Sequence, residues 1–142
     1  MRKLIPIELP CKLDIGCGHG KITGFVGMDH LDFGQEIVWD INNGIPLPDN
    51  SVSALHASHF MEHLENKELT NFFSEVIRVC PTGTKVTLIV PHADTIEAHY
   101  LCHYSLWDES KIAGIIKDSP NLELESTERD GIHFTMNIKV KK

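Results

Sequence analysis

Leu13-Asp14-Ile15-Gly16-Cys17-Gly18-His19-Gly20 is the stretch on which the reading of this chain turns. Lys12 to Ile15 reads as a short strand, and it runs into a turn with glycines at positions 16, 18 and 20. Glycine takes positive φ freely and lets backbone N–H groups approach a ligand closely. In a parallel sheet such a turn lies at the carboxyl end of a strand, where open α/β sheets hold their ligands. A glycine triplet alone also describes a plain tight turn, so the flanking segments carry the decision.

Phe25 to Asp29 reads as a second strand, Glu36 to Asp40 as a third and Val52 to Ala57 as a fourth. Asn42-Asn43-Gly44 and Pro46-Leu47-Pro48-Asp49-Asn50 punctuate the loop between the last two. Asp29 and Asp40 therefore close successive strands beside the glycine turn. A carboxylate at Asp29 is placed to accept from both ribose hydroxyls of a nucleoside. Asp40 can accept from an adenine amino group while Ile41 packs on the ring. Singly, each Asp is an ordinary turn residue. Three nucleoside-compatible strand ends in series are hard to obtain from turns alone.

From Phe60 to Val79 the apolar residues Leu64, Leu69, Phe72, Phe73, Val76, Ile77 and Val79 recur at helical spacing. Asn66 or Thr70 is the expected cap, and Pro81-Thr82-Gly83 the stop. Lys85 to Val90 is a fifth strand, followed by a loop over 91–105 rich in His and Tyr. Ser105-Leu106-Trp107-Asp108 matches a capping box and predicts a helix to about Lys117. Leu122 to Glu128 and Ile132 to Val140 alternate around Arg129-Asp130-Gly131 and predict an antiparallel hairpin. Pro6 and Pro10 keep residues 1–10 extended. The pattern predicts an α/β fold, one domain over 1–142, with a mostly parallel sheet and an antiparallel edge.

With 142 residues and a formal net charge of -7, the chain lacks the clustered cations that phosphate backbones require. No nucleic acid partner is expected, and Lys139, Lys141 and Lys142 read as a solvated tail. The four cysteines, Cys11, Cys17, Cys80 and Cys102, form no C-x-x-C pair. They read as reduced thiols of a cytoplasmic protein. The apolar run after Met1 is too short for a signal peptide, and no segment has membrane-spanning length.

The motifs together resemble class I S-adenosylmethionine-dependent methyltransferases. Leu13 to Gly18 is similar to their first motif and Gly27-Met28-Asp29 to their second. Pro46 to Ser51 leading into Ala57-Ser58-His59-Phe60-Met61-Glu62-His63-Leu64 resembles their fourth-strand region. Arg78-Val79-Cys80-Pro81-Thr82-Gly83 followed by Val86 to Pro91 resembles the turn into their fifth. The resemblance spans roughly residues 12–117 and implies a Rossmann-like sheet and S-adenosyl-L-methionine as cofactor. It implies contacts from Asp14, Gly16, Cys17, Gly18, Asp29, His30, Asp40, Ile41, Ser58 and His59. The implied acceptor is a small molecule or a protein side chain, since no Asn-Pro-Pro-Tyr-like motif follows the fourth strand.

His59 is the expected base if the nucleophile needs one. The pairs His59/His63 and His99/His103 stand at i, i+4, but spacing supplies no third ligand, and no metal is expected. Tyr100, Tyr104 and Trp107 either line a substrate pocket or anchor their loop to the core. A non-catalytic S-adenosylmethionine-binding or scaffold subunit is the alternative reading.

One departure stands out. Only Lys21-Ile22-Thr23-Gly24 separate the glycine turn from Phe25, where a parallel crossover normally needs a dozen residues or more. No helix fits between Asp29 and Glu36 either. Helices on one sheet face are therefore expected to be largely missing, leaving Val26, Met28 and Val38 exposed. Such a patch predicts pairing with a partner or with a second copy.

Overall fold

A computed structural model describes residues 3–142; Met1 and Arg2, part of the expected extended start, lie outside the described residues. The strands are β1 (Lys3–Leu4), β2 (Cys11–Ile15), β3 (Val26–Asp29), β4 (Ile37–Val38), β5 (Val52–Ser58), β6 (Lys85–Pro91), β7 (Leu122–Asp130) and β8 (His133–Val140). The α-helices are α1 (Asn66–Val79) and α2 (Glu109–Lys117). All strands join one sheet in the order β1-β4-β3-β2-β5-β6-β8-β7. From β4 across to β6 neighbouring strands run parallel, while β1 and the β7–β8 hairpin are antiparallel. The expected mixed sheet with its C-terminal hairpin is present.

Register decides which face is apolar. Leu13 pairs with Val26 and Leu55, and Ile15 with Met28 and Ala57. Val86 and Leu88 extend these rows across β6, and Ile138 and Met136 across β8. Paired residues share a face, so the rows form one apolar surface. Against it packs the stripe Leu69, Phe72, Phe73, Val76 and Val79 of α1, all buried. Ile112 of α2 joins the same core.

The other face carries Lys12, Asp14, His56, Thr87 and Asn137, the alternate residues of the same strands. Among the described residues no α-helix lies between β2 and β3 or between β3 and β4. The expected exposure of Val26, Met28 and Val38 is not found. Val26 and Met28 lie on the helix-covered face by register, and Met28 is 1% exposed. Val38 is 4% exposed, paired with Lys3 of β1. Among the described residues Val26, Met28 and Val38 therefore form no exposed apolar patch on the face without helices. The exposed large apolar residues lie elsewhere, with Leu101 and Ile96 in the loop after β6.

Three local expectations shift for identifiable reasons. The third strand is only Ile37–Val38, because Asp40 turns away and caps a 3₁₀ turn, Ile41–Asn43, accepting from Asn42 N at 2.9 Å. The helix expected from Phe60 begins at Asn66. Met61–His63 forms a separate 3₁₀ turn and Leu64 is extended. Its cap is neither Asn66 nor Thr70 but Glu65, whose N–H is accepted by Glu68 Oε1 at 3.0 Å in a capping box. At α2 the cap is Asp108, which accepts from Lys111 N at 2.8 Å.

Ser105 has a different task from the expected cap. Its hydroxyl donates to Met61 O at 2.9 Å and accepts from Trp107 Nε1 at 2.9 Å. Trp107 is fully buried, so this chain of bonds fastens the loop after β6 onto the turn after β5. Among the described residues no helix is long and apolar enough to cross a membrane. Trp107→Ala removes a fully buried side chain and is expected to cost about 3–5 kcal/mol of stability, read from urea unfolding by circular dichroism.

Candidate functional site

A cleft of about 440 Å³ opens at the carboxyl ends of β2, β3 and β5. β3 lies on one side of β2 and β5 on the other, so the chain reverses its direction of strand addition here. Such switch points are where open α/β sheets bind ligands. The volume lies in the range of small-molecule and cofactor sites.

The glycine turn is built against β3. Gly16 N and Cys17 N both donate to Met28 O, at 2.8 and 3.3 Å. Gly16 has φ 68°, and a Cβ there would meet the Phe60 ring and Cβ at 2.7–3.0 Å. Phe60 thus closes over the backbone of the turn. Gly18 also has positive φ, but no atom lies within 4 Å of the position its Cβ would take. The Cα side of Gly18 thus faces open space in the cleft wall, while its N–H is taken by Asp29.

Asp29, at the end of β3, ties this wall together. Its carboxylate accepts from Gly18 N at 2.9 Å and from Leu31 N at 3.2 Å, and lies 3.0 Å from His30 Nδ1. A carboxylate has about four acceptor positions, and with these three neighbours about one remains for a hydroxyl donor. Farther along, Asn42 Nδ2 donates to Glu68 Oε2 at 2.8 Å, joining the 3₁₀ turn to α1. Met28, Trp39 and Ile41 supply apolar walls.

Of the residues expected at the cofactor, Gly16, Gly18, Asp29, His30, Asp40, Ile41 and His59 line the cleft. Asp14, Cys17 and Ser58 do not. Strand alternation turns Asp14 to the opposite face, where it is 4% exposed and accepts from Ile22 N at 3.1 Å. It holds the shortened β2–β3 connection in place of a helix. Burial pushes its carboxyl above the usual range, against the lowering effect of the Ile22 bond, His56 and Lys21. Cys17 is buried beside Gly27. Burial, then the charges of Asp14 and Asp29, push its thiol up to about 11, so it stays protonated at neutral pH.

His59 stands where the base was expected, at φ 53° directly after β5. Both ring nitrogens have partners. Nε2 bonds His133 Nδ1 at 2.8 Å, and Nδ1 lies 3.4 Å from Glu62 Oε2. Glu62 is 1% exposed. Sequence reasoning missed Phe60, Glu62 and His133 in this setting. Glu62 lay in the quoted motif, but only the 3₁₀ turn aims it at His59, and His133 arrives from the distant hairpin. Tyr100 and Tyr104 are exposed and off the cleft, while Trp107 is the loop anchor.

The fold has many known counterparts. The chain is similar to an S-adenosylmethionine-dependent methyltransferase from Aquifex aeolicus, at TM-score 0.70 and 17% identity over 96% of this chain and 85% of the other. A second such methyltransferase, from Archaeoglobus fulgidus, matches at TM-score 0.70 and 16% identity over 91% and 86%. The Burkholderia thailandensis 1,6-didemethyltoxoflavin-N1-methyltransferase, solved with its substrate and S-adenosylhomocysteine, matches at TM-score 0.71 and 13% identity over 92% and 70%. No family model and no curated protein matches the sequence. At these identities the likeness establishes the Rossmann-like fold of the methyltransferases.

Asp14 provides a test of the loop architecture. Its raised pKa means that the charged carboxylate is disfavoured in the folded state, and this penalty disappears once pH falls below the ordinary Asp value. Asn keeps an acceptor for Ile22 N–H without the charge. Asp14→Asn is therefore expected to raise the melting temperature at pH 7, and the gain is expected to vanish as pH falls below about 4.

Proposed function

We propose that this chain is a methyltransferase that binds S-adenosyl-L-methionine in the switch-point cleft and methylates a small molecule or a protein side chain. The observation that carries the reading is the Asp29 carboxylate. It sits at the end of β3 within the cleft wall, already tied to Gly18 and with acceptor capacity left over. The cleft fits the cofactor's parts. Asp29 faces the ribose hydroxyls, Asp40 and the apolar pair Trp39 and Ile41 suit adenine, and the open backbone at Gly18 admits the amino acid portion. Two of the similar structures are S-adenosylmethionine-dependent methyltransferases.

The bound cofactor supplies a sulfonium methyl that is already activated, so the protein's task is positioning. Phe60, pressed on Gly16, fixes the depth of the cleft. No helix follows the glycine turn, so no helix dipole assists binding there. The N–H groups of Gly16, Cys17, Gly18 and Gly20 are already bonded within the chain, so the grip rests on Asp29 and on the apolar walls Met28, Trp39 and Ile41. His59 lines the cleft as the base: Glu62 faces Nδ1 and stabilises the charged ring, and the acceptor's donor atom displaces His133 from Nε2 to hand over its proton there.

Isothermal titration with S-adenosylmethionine, S-adenosylhomocysteine and NAD tests the reading. The first two are expected to bind and NAD is not. Asp29→Ala is expected to weaken S-adenosylhomocysteine by roughly 10- to 100-fold, the worth of hydrogen bonds to a charged group. Absence of binding at millimolar ligand overturns the proposal.

A further inference from the structure

We propose that Glu62, His63 and His103 form a binding site for a divalent transition metal ion of the zinc type, on the wall of the methyl-transfer cleft. One ligand atom from each of the three lies within 4.8 Å of the others. Glu62 and His63 come from the 3₁₀ turn after β5, while His103 comes from the loop that Ser105 and Trp107 fasten onto that turn. The third ligand, which spacing in the sequence could not supply, is thus brought in by tertiary structure.

Independent observations point to a ligand there. Glu62 is 1% exposed, and its Oε1 is buried without a hydrogen-bond partner; Oε2 is the oxygen facing His59. His103 Nδ1 is likewise buried without a partner. Unmatched buried polar atoms are costly, and a cation among them removes the cost. His63 is already set as a ligand. Its Nδ1–H donates to the Cys102 carbonyl at 2.9 Å, which leaves the lone pair on Nε2. A backbone carbonyl that accepts from the other ring nitrogen in this way fixes the tautomer of metal-bound histidines. The His63 and His103 rings meet edge to face with centroids 4.8 Å apart.

Two imidazoles and one carboxylate suit borderline divalent ions, and three protein ligands leave a coordination position open. His63 is the one of the three that lines the cleft, so the site adjoins the space assigned to the methyl donor. An oxygen donor of the acceptor molecule fits the open position, and its proton is more easily lost beside the ion. The structure thereby points to an acceptor with a hydroxyl or carboxyl oxygen. This last step rests on the methyltransferase reading; the metal site itself does not.

The test uses the full chain, stripped with chelator and titrated with Co²⁺ by visible absorption and with Zn²⁺ by calorimetry. One equivalent of Co²⁺ with d–d bands, displaced by Zn²⁺, is expected. His103→Ala and Glu62→Gln are expected to weaken Zn²⁺ by more than about 100-fold, beyond the loss of an outer-shell partner. His99→Ala, whose ring bonds the Ala93 carbonyl instead, is expected to leave affinity unchanged. Absence of stoichiometric uptake by the unmodified chain overturns the site, as does unchanged affinity in both ligand variants when circular dichroism shows them folded. S-adenosylhomocysteine binding is measured on the same samples. If it persists while metal uptake is absent, only the metal site fails; if metal binds without it, only the methyltransferase reading fails.

Discussion

The bond from Gly18 N–H to the Asp29 carboxylate, 2.9 Å long, is the constraint on which the rest of the site depends. Rossmann-like sheets ordinarily follow the glycine turn with a helix, whose N-terminus fixes the turn and faces the ligand. Here the connection from β2 to β3 is too short for one. Two carboxylates replace it. Asp29 holds the turn from the cleft side, and Asp14 holds the connection from the opposite face through Ile22 N. Under the proposed function this couples ligand recognition to fold, because the carboxylate assigned to the nucleoside also secures the loop.

The one-sided sheet follows the same logic. Without helices beside β2, β3 and β4, apolar side chains on that face would stand in water. Strand alternation avoids this by placing Lys12, Asp14, His56 and Thr87 there and reserving Leu13, Ile15, Met28 and Leu55 for α1 and α2. The core is therefore a single helical layer against a sheet. It is closed at the cleft end by Trp107 and the Ser105 hydroxyl, which join the loop after β6 to the turn after β5.

Much of this was legible in the chain. The glycine turn, the strand end at Asp29, the α1 stripe and the terminal hairpin all follow from local spacing and turn chemistry, whereas the strand expected to reach Asp40 stops at Val38. What was not legible depended on faces and on distant partners. The exposure expected of Val26 and Met28 failed because register, not composition, places them on the covered face. Asp14 and Ser58 belong to the motif yet lie off the cleft walls, since adjacent residues in a strand point opposite ways, and Cys17 is turned inward against Gly27 by the turn after β2. Glu68 and Glu65 displaced Asn66 as the helix cap because a reciprocal pair of carboxylates satisfies more N–H groups than one amide. His133 and His103 reach the site from the hairpin and the long loop, at separations no local pattern encodes.

Amide chemical-shift mapping tests the central claim most directly. With ¹⁵N-labelled protein and unlabelled S-adenosylhomocysteine, the largest shifts are predicted at Gly16, Gly18, Asp29, His30 and the Ile41–Asn42 turn, with none in Lys12 or Asn137 of the bare face. The groove between α1 and α2, lined by Leu69, Phe73 and Ile115, offers a larger but shallower competitor. Shifts confined to that groove, with the glycine turn unmoved, would contradict the account.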